Sequence, residues 1–300
     1  MSDPLAEVVA LLQPSARFSK IVIGAGAWAV SRSDAGQPSY CAILDGGCRL
    51  VVDGHPAMAL QAGDFVFVPA AYGVAMSSLV PPSSSTETQP LALGEGRFRV
   101  GPVDAPIDLG MVIGHCNFDS PDATLLVSLL PQIVHVHGEH RLATLVQMMG
   151  DESRQQRPAR DEVLSRLLEV LLIEALRSSA GVEASPGLVR ALADARLVMA
   201  IRAMHECPSR AWTVAELAQK AAMSRSSFFE RFNHAVGIPP MEYLLAWRMA
   251  LAKRMLRRGG ASIAMIAERV GYSSANTFGV AFTRYTGVVP SRYAAEHKVQ

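Results

Sequence analysis

Apolar residues recur with two different periods, and the change of period divides the chain. From Phe18 to about Cys116 the apolar runs are short and broken by glycine, which is typical of β-strands. The predicted strands are Ile21–Ile23, Trp28–Val30, Tyr40–Leu44, Cys48–Val52, Ala57–Leu60, Phe65–Val68, Phe98–Val100 and Leu109–His115. From about Asp122 onwards, apolar residues recur at helical spacing. The pattern predicts an α+β chain in which a β-barrel or sandwich precedes helices.

Turn-forming residues add local expectations within the strand-rich part. Asp45-Gly46-Gly47 is predicted to form a hairpin turn between two of the strands. Residues 81–96 are rich in proline, serine and glycine, so we expect a flexible loop there. A short apolar helix is expected over residues 4–13.

Leucine stripes organise the helices that follow. The first stripe is Leu125, Leu126, Leu129 and Leu130, and the longer one is Leu164, Leu167, Leu168, Leu171 and Leu172. The longer stripe fits either packing against the barrel or dimerisation, and both interpretations stay open. Residues 181–187 read as a linker, and a helix is predicted from about Leu188 to Met204.

The stretch from Trp212 to Tyr293 contains one pattern twice. Val214-Ala215-Glu216-Leu217-Ala218 recurs as Ile263-Ala264-Met265-Ile266-Ala267, at an offset of 49 residues. At an offset of 50, Ser224, Phe228, Phe232, Gly237, Pro240 and Tyr243 recur as Ser274, Phe278, Phe282, Gly287, Pro290 and Tyr293. The second copy therefore has one extra residue in its turn, and the repeat identifies a structural unit that is used twice.

Each copy predicts two helices joined by a tight turn. In the first copy, Val214, Leu217 and Ala218 share one face of a helix. Ser224 can then cap a second helix, whose buried stripe is formed by phenylalanines four residues apart. This is the outline of a helix-turn-helix, a motif whose second helix lies in the DNA major groove.

The phenylalanine stripe determines which side chains of each second helix face outward. Those expected to read base edges are Ser226, Ser227, Phe229, Glu230, Ala275, Asn276 and Val280. Those expected to hold phosphates are Ser224, Arg225, Arg231, Ser274, Thr283 and Arg284. Val280 can contact a thymine methyl but cannot donate to guanine, so the second copy is expected to contribute less base readout.

Charge is distributed unevenly along the chain. Residues 195–300 contain 15 Lys+Arg and 6 Asp+Glu, whereas residues 1–194 contain 13 and 21. The overall net charge of +1 therefore combines a basic part of +9 with an acidic part of −8. A basic domain with two helix-turn-helix patterns predicts binding to double-stranded DNA.

These residues resemble a known family. The segments MSRSSFFERFNHAVGIPPMEYLLAWRMALAKRML and SIAMIAERVGYSSANTFGVAFTRYTGVVPSRY are similar to the DNA-binding domain of AraC/XylS transcription regulators. The resemblance implies an all-α domain over residues 188–300, with two helix-turn-helix units bridged by a helix from about Met241 to Leu256. It also implies promoter DNA and RNA polymerase as partners. Gly279 and Val280 depart from the family pattern, in which polar residues are usual.

The N-terminal part resembles a second family. A conserved segment of cupin barrels is similar to Ala62-Gly63-Asp64-Phe65-Val66-Phe67-Val68-Pro69. Tyr40 to Gly46 precedes this segment in the order that cupin barrels show, and it adds to the resemblance. The resemblance implies a cupin-like sensor domain over residues 1–120. A helical extension is expected over residues 121–180, where the leucine stripe leaves dimerisation open. A small-molecule effector pocket is expected to be lined by Trp28, Tyr40, Cys41, Phe65, Phe67 and Tyr72.

Metal and redox chemistry are alternatives to the binding of an organic effector. His135, His137 and His140 form the most metal-like cluster, but no fourth ligand is visible. The positions that carry ligands in metal-binding cupins align with Cys41 and Val74, so no cofactor and no enzyme activity are expected. Thiol-based sensing by Cys41 or Cys116 is the redox alternative.

The remaining features bear on compartment and on the alternative function. The four cysteines show no disulfide framework, the N-terminus has no basic segment before its apolar run, and no apolar run is long enough to span a bilayer. These features predict a cytoplasmic protein with free thiols and no membrane partner. The expected function is a one-component transcription regulator, and the alternative is a cupin-type metal-dependent enzyme fused to a helical domain.

Overall fold

The computed structural model describes residues 3–32, 37–70, 73–82, 87–120, 123–155, 157–179 and 187–297. Contacts divide the chain into two units. The first comprises residues 12–123 and 130–184, and the second comprises residues 1–11, 124–129 and 185–300. The expected linker at 181–187 lies outside the described residues except for Gly187, and so does the expected pocket residue Tyr72.

A curled sheet forms the first unit. Its strands are β1 (Pro14–Ala25), β2 (Ala29–Arg32), β3 (Ser39–Val52), β4 (Met58–Gln61), β5 (Asp64–Val68), β6 (Val74–Ser78), β7 (Leu91–Gly94), β8 (Arg97–Val100), β9 (Ile107–Phe118) and β10 (Val134–His137). The strand order is β10-β5-β3-β9-β1-β8-β7, with β2 on β6, and β4 and β6 on β3. The pairs are antiparallel except for β1 with β8. The predicted α+β class, with a β-rich part before the helices, is confirmed.

The hairpin predicted at Asp45-Gly46-Gly47 is wrong, because β3 continues through this segment. The first half of β3 pairs with β5 and β9, and the second half pairs with β4 and β6. Gly46 has a φ of 69°, and a Cβ atom there would lie 1.8 Å from the carbonyl oxygen of Asp108. The glycine therefore allows a bend at a close backbone approach, and the strand passes from one part of the sheet to another without reversing.

Three further strands differ from the expectation, and one of them, β10, lies after Asp122, where the pattern predicts helices. Residues 81–96 are not wholly a loop, because β7 lies within them and pairs with β8; residues 83–86 fall outside the described part. Strand β6 was not predicted, because its sequence VAMSS has only three apolar residues and ends in two serines. Ser78 is nevertheless buried, and its hydroxyl accepts a hydrogen bond from the Trp28 N–H at 3.0 Å.

Two helices, α3 (His140–Arg154) and α4 (Arg160–Ser178), cover the sheet of the first unit. Both helices contact β1, and they also contact each other. The buried residues of α4 are Leu164, Leu168, Leu171, Leu172, Ala175 and Leu176. Packing inside this unit accounts for the longer leucine stripe, while dimerisation stays a prediction.

The second unit is helical. Its helices are α1 (Pro4–Leu12), α2 (Ala123–Ser128), α5 (Leu188–Ala193), α6 (Leu197–Glu206), α7 (Val214–Lys220), α8 (Arg225–Val236), α9 (Pro240–Arg258), α10 (Ile263–Arg269), α11 (Ala275–Thr286) and α12 (Pro290–Glu296). The single helix predicted from Leu188 to Met204 is two helices. The Oδ1 atom of Asp194 accepts hydrogen bonds from the N–H groups of Arg196 and Leu197, at 2.9 and 3.3 Å. These bonds satisfy backbone donors at the N-terminus of α6, so a second helix begins there.

A buried polar chain attaches α1 to this helical unit. His205 Nδ1 lies 2.8 Å from Glu7 Oε2, and its Nε2 lies 2.7 Å from the Tyr243 hydroxyl. Burial lowers the pKa of His205 despite the hydrogen bond to Glu7, so the ring is neutral. The carboxylate can only accept, so Nδ1–H donates to Glu7 and Nε2 accepts from Tyr243. The His205 ring also stacks on the Trp247 ring, with ring centroids 3.7 Å apart.

Candidate nucleic-acid interface and cavity

Two helix-turn-helix units occupy the helical part of the chain, α7 with α8 and α10 with α11. Thr213 caps α7 by accepting a hydrogen bond from the Glu216 N–H, and the Thr213 N–H in turn donates to the Glu216 carboxylate. The Arg210 guanidinium and the bonds from Thr213 lower the pKa of Glu216 to about 2, so this capping box is ionised. Ser262 caps α10 through the Met265 N–H at 3.2 Å.

The turns of the two units have the same hydrogen bonds. The Met223 N–H donates to the Ala218 carbonyl at 2.9 Å, and the Tyr272 N–H donates to the Ala267 carbonyl at 2.9 Å. The preceding residue is left-handed in both copies, with a φ of 50° at Ala222 in the first copy and 83° at the corresponding glycine of the second. Ser273 then intervenes before the cap of α11, which confirms the extra residue of the second turn.

Each second helix begins at a capping serine and ends at a glycine. Ser224 accepts from the Ser227 N–H at 3.2 Å, and Ser274 accepts from the Thr277 N–H at 3.1 Å. The predicted capping role of Ser224 is confirmed. At the C-termini, Gly237 and Gly287 adopt φ values of 92° and 80°, which a side chain would resist.

Paired phenylalanines hold each second helix to its unit. Phe228 and Phe232 are fully buried with ring centroids 5.6 Å apart, and Phe278 and Phe282 are fully buried with centroids 5.4 Å apart. Tyr243 packs edge-on against the first pair and Tyr293 against the second, at 5.7 and 5.5 Å. The inward direction of the phenylalanines is confirmed, and it fixes the outward face of both helices.

The seven side chains predicted to read bases all lie on exposed surface. On α8 they are Ser226, Ser227, Phe229 and Glu230, and on α11 they are Ala275, Asn276 and Val280. Phe229 and Val280 retain 42% and 65% of their accessible surface, which is high for apolar side chains. Exposure on a helix face makes a major-groove contact sterically open, and base reading itself stays a prediction.

The residues predicted to hold phosphates differ in their exposure and in the contacts that their side chains already make. Ser224, Arg225, Ser274 and Arg284 are exposed at the helix surface, whereas the Thr283 hydroxyl is half-buried and donates to the Gly279 carbonyl at 2.7 Å. Arg231 forms an ion pair in which its Nε lies 2.5 Å from Asp194 Oδ2. The guanidinium is thus tied to the start of α6 while its side chain stays half exposed, and a contact between Arg231 and phosphate stays a prediction.

The anchor Asp194 was not predicted from the sequence. Burial opposes its ionisation, but the Arg196 N–H and the Arg231 guanidinium hold the pKa of this carboxyl below its usual range. A second link joins His234 Nε2 to Arg190 Nη2 at 3.1 Å. An aspartate three residues before a run of helical apolar residues could have indicated the helix start, but not its partner on α8.

A cavity of about 340 Å³ lies on the concave face of the sheet. Its polar lining includes Lys20, Ser31, Gln37, Ser39, Glu87, Thr88 and His115, and its apolar lining includes Val22, Leu50, Val66, Val68, Met76, Phe98, Val100, Met111 and Ile113. Of the expected lining residues, Tyr40 and Cys41 border it. Trp28 is buried in the same core cluster without appearing among the described lining residues.

Strand alternation explains why Phe65 and Phe67 do not border the cavity, contrary to expectation. Side chains of β5 alternate between faces, and Val66 and Val68 take the concave one. Phe65 instead stacks on Tyr40 at 6.3 Å, and the Tyr40 hydroxyl bonds the Ser19 hydroxyl at 2.8 Å. The expected aromatic lining is thus largely replaced by valines, because the sequence alone did not show which face the register directs inward.

The described cysteines are all free thiols, and three of them are buried. Burial raises the pKa values of Cys41, Cys48 and Cys116 to about 12. A thiol with such a pKa is almost entirely protonated near neutral pH, which makes it a poor nucleophile. The geometry therefore disfavours the redox alternative at Cys41 and Cys116.

Two histidines of the predicted cluster contact a buried carboxylate, that of Asp64. His135 Nε2 and His137 Nδ1 both bond Asp64 Oδ1, at 3.0 and 2.9 Å, while His140 begins α3 with an exposed side chain. Burial raises the pKa of Asp64, but hydrogen bonds from the Gln61 N–H and from both histidines outweigh it and hold the pKa below its ordinary value. Within the described part of the chain, no group of three or more His, Cys, Asp or Glu is arranged to hold a metal ion.

Comparisons with known proteins agree with both units. A cupin family model matches residues 3–181, and a helix-turn-helix domain model matches residues 217–296. Two proteins named as AraC-like transcription regulators, from Streptomyces lividans and Streptomyces antibioticus, are each 34% identical to this chain; the alignments cover 97% of the chain and 97% and 98% of the relatives. The solved structure of ToxT from Vibrio cholerae matches 94% of this chain and 100% of its own, with 11% identity and a TM-score of 0.36.

Among the described helices, none has the length and apolar character that a membrane span requires.

Proposed function

Since the chain belongs to the AraC-type transcription regulators with a cupin N-terminal domain, we propose that α8 and α11 read promoter DNA and that a small molecule in the sheet cavity adjusts this binding. The observation that carries the proposal is the duplicated unit, in which capped second helices turn matching outer faces to solvent. A homodimer, for which the leucine stripe leaves room, and contact with RNA polymerase, expected from the resemblance, stay predictions.

Charge supports the assignment of DNA to this unit. Residues 195–300 have a net charge of +9, which is the electrostatic footprint of a nucleic-acid partner. Arg225 and Arg284 are exposed on the second helices, where they are placed to meet phosphates. The capped N-termini of α8 and α11 add partial positive charge near Ser224 and Ser274.

Salt dependence tests the DNA proposal. If the domain neutralises roughly six phosphates, log K should fall against log salt with a slope near −5. Arg284→Ala should weaken binding to every duplex about equally and reduce the slope by about 1. Val289→Ala, at an exposed residue outside both second helices, is the control and should leave the slope unchanged. An affinity for DNA that does not vary with salt would contradict the proposal.

The cavity supports an effector with an apolar body and a polar end. His115 pairs with Ser39 across β9 and β3, and Ile113 pairs with Lys20 across β9 and β1, so these side chains share the concave face. Lys20, Ser39 and His115 therefore lie close together on this face, while apolar side chains, chiefly valines and methionines, form most of the rest of the lining. A ligand can change DNA affinity only if it binds the protein's active and inactive arrangements with different affinity.

Ligand-dependent stabilisation tests the effector proposal. A panel of small amphipathic molecules is screened for those that raise the melting temperature of the full chain. Any such shift should be lost in Val66→Phe, which fills the cavity, and kept in Val163→Phe, which changes an exposed valine of α4. A ligand whose effect survives cavity filling binds elsewhere, and that result would refute the assignment.

A further inference from the structure

We infer that α8 and α11 read different bases from equivalent positions, with Glu230 selecting cytosine and Val280 selecting thymine. This inference rests on the proposed DNA binding, which it makes specific. The operator would then contain two chemically distinct subsites, a cytosine-containing one under α8 and a thymine- and adenine-containing one under α11.

Positions 230 and 280 are equivalent in geometry as well as in sequence. Glu230 lies six residues after the capping Ser224, and Val280 lies six residues after the capping Ser274. Each stands midway between the two buried phenylalanines of its helix, so both point to the opposite, exposed side. Because the caps, phenylalanine pairs and terminal glycines match, the two side chains meet the DNA from corresponding places.

The chemistry of the two side chains differs completely. An ionised glutamate can only accept hydrogen bonds, so at a base edge it pairs with the N4 amino group of cytosine. The acceptors of guanine and the O4 atom of thymine would repel it, and the N6 donor of adenine lies beside an N7 acceptor that would do the same. Arg225 borders the same surface hollow as Glu230, and its positive charge lessens the repulsion between this carboxylate and the DNA phosphates.

Val280 has no polar atom, and the thymine methyl is the apolar group that a major groove offers. Its 65% exposure excludes a role in the core. A β-branched residue on an exposed helix face also lowers helix propensity, so folding does not require it there. Nothing in the fold of the domain explains an exposed valine at this position, whereas contact with a thymine methyl does.

Asn276 lies one helical turn before Val280 and is exposed. An asparagine amide can bond both N6 and N7 of adenine, which makes it selective. The equivalent residue of α8 is Ser226, whose hydroxyl either donates or accepts and therefore discriminates less. The α11 subsite is thus expected to contain adenine together with thymine.

Reciprocal exchange of the two residues tests the inference. The wild-type chain and the variants Glu230→Val, Val280→Glu and Asn276→Ala are used to select duplexes from a randomised library. Glu230→Val should replace cytosine by thymine at one subsite only, and Val280→Glu should do the converse at the other. Each preference should change by about ten- to a hundredfold, the size of one base contact. Asn276→Ala should lose the adenine preference.

A matched charge control separates base reading from general electrostatics. Val289→Glu adds the same charge at an exposed valine outside α11, so it should weaken binding to all sequences alike. If Glu230→Val and Val280→Glu are folded and bind random duplex, but select the same bases as the wild type, the base assignment is overturned while the DNA proposal stands. If the folded wild type binds no duplex at low salt, the proposed function itself fails.

Discussion

Gly271 forms the turn between α10 and α11, and its replacement by alanine tests how closely that turn is packed. Its φ is +83°, and a Cβ atom there would lie 2.7 Å from the Ser209 carbonyl oxygen and 2.8 Å from Arg248 Nη2. Neither neighbour is free to withdraw. The first is backbone, and the guanidinium is held by the Pro208 carbonyl at 2.7 Å and the Arg210 carbonyl at 2.8 Å.

The cost of Gly271→Ala has two parts. A left-handed conformation costs an L-residue about 1–2 kcal/mol, and overpacking costs about 1–3 kcal/mol. The reduced freedom of the unfolded chain offsets about 0.4–1 kcal/mol. We therefore expect the free energy of unfolding to fall by about 1–5 kcal/mol. Gly287→Ala is the matched control, because Gly287 has a φ of +80° with nothing within 4 Å of the added Cβ, and only the conformational part applies.

Urea unfolding of the wild type and both variants measures this difference. Trp212 and Trp247 lie in the helical unit, so their fluorescence follows its unfolding. We expect Gly271→Ala to unfold at a clearly lower urea concentration than Gly287→Ala, with a similar slope. Equal midpoints for the two variants would show that the turn relaxes around the added methyl group, and the reasoning from close packing would be refuted.

Three further outcomes follow from individual contacts. Gly279→Ala should raise the free energy of unfolding by about 1 kcal/mol in urea, because its Cβ meets nothing within 4 Å and alanine favours helix. The pKa of the Asp64 carboxyl is lower in the folded state than in the unfolded state. The ionised carboxylate therefore stabilises the fold above the unfolded pKa, and this stabilisation is lost as pH falls through the folded pKa. Asp64→Asn should accordingly flatten the acid dependence of the urea midpoint below about pH 4. Arg231→Ala should lower stability by about 1–2 kcal/mol, because Asp194 is left partly buried without its ion pair, whereas Arg284→Ala should leave the urea midpoint unchanged.

The helix-turn-helix units were predictable because their contacts are local. Phe228 and Phe232 are four residues apart, so the direction of one helix face follows from their spacing. The capping serine, the terminal glycine and the extra residue of the second turn are likewise encoded within a few residues of each other. The exposed faces of α8 and α11 could therefore be assigned before any tertiary contact was known.

Contacts between residues distant in the chain could not be predicted in the same way. Gly46 marks a bend and not a turn only because Asp108 lies against it. Phe65 turns away from the cavity because of strand register, and Arg231 is occupied because Asp194 lies beside it. Thus the periodicity of the sequence determined most of the elements and the outward faces of α8 and α11. Register and long-range pairing, which depend on residues far apart in the chain, decided which side chains line the cavity and which charges stay free.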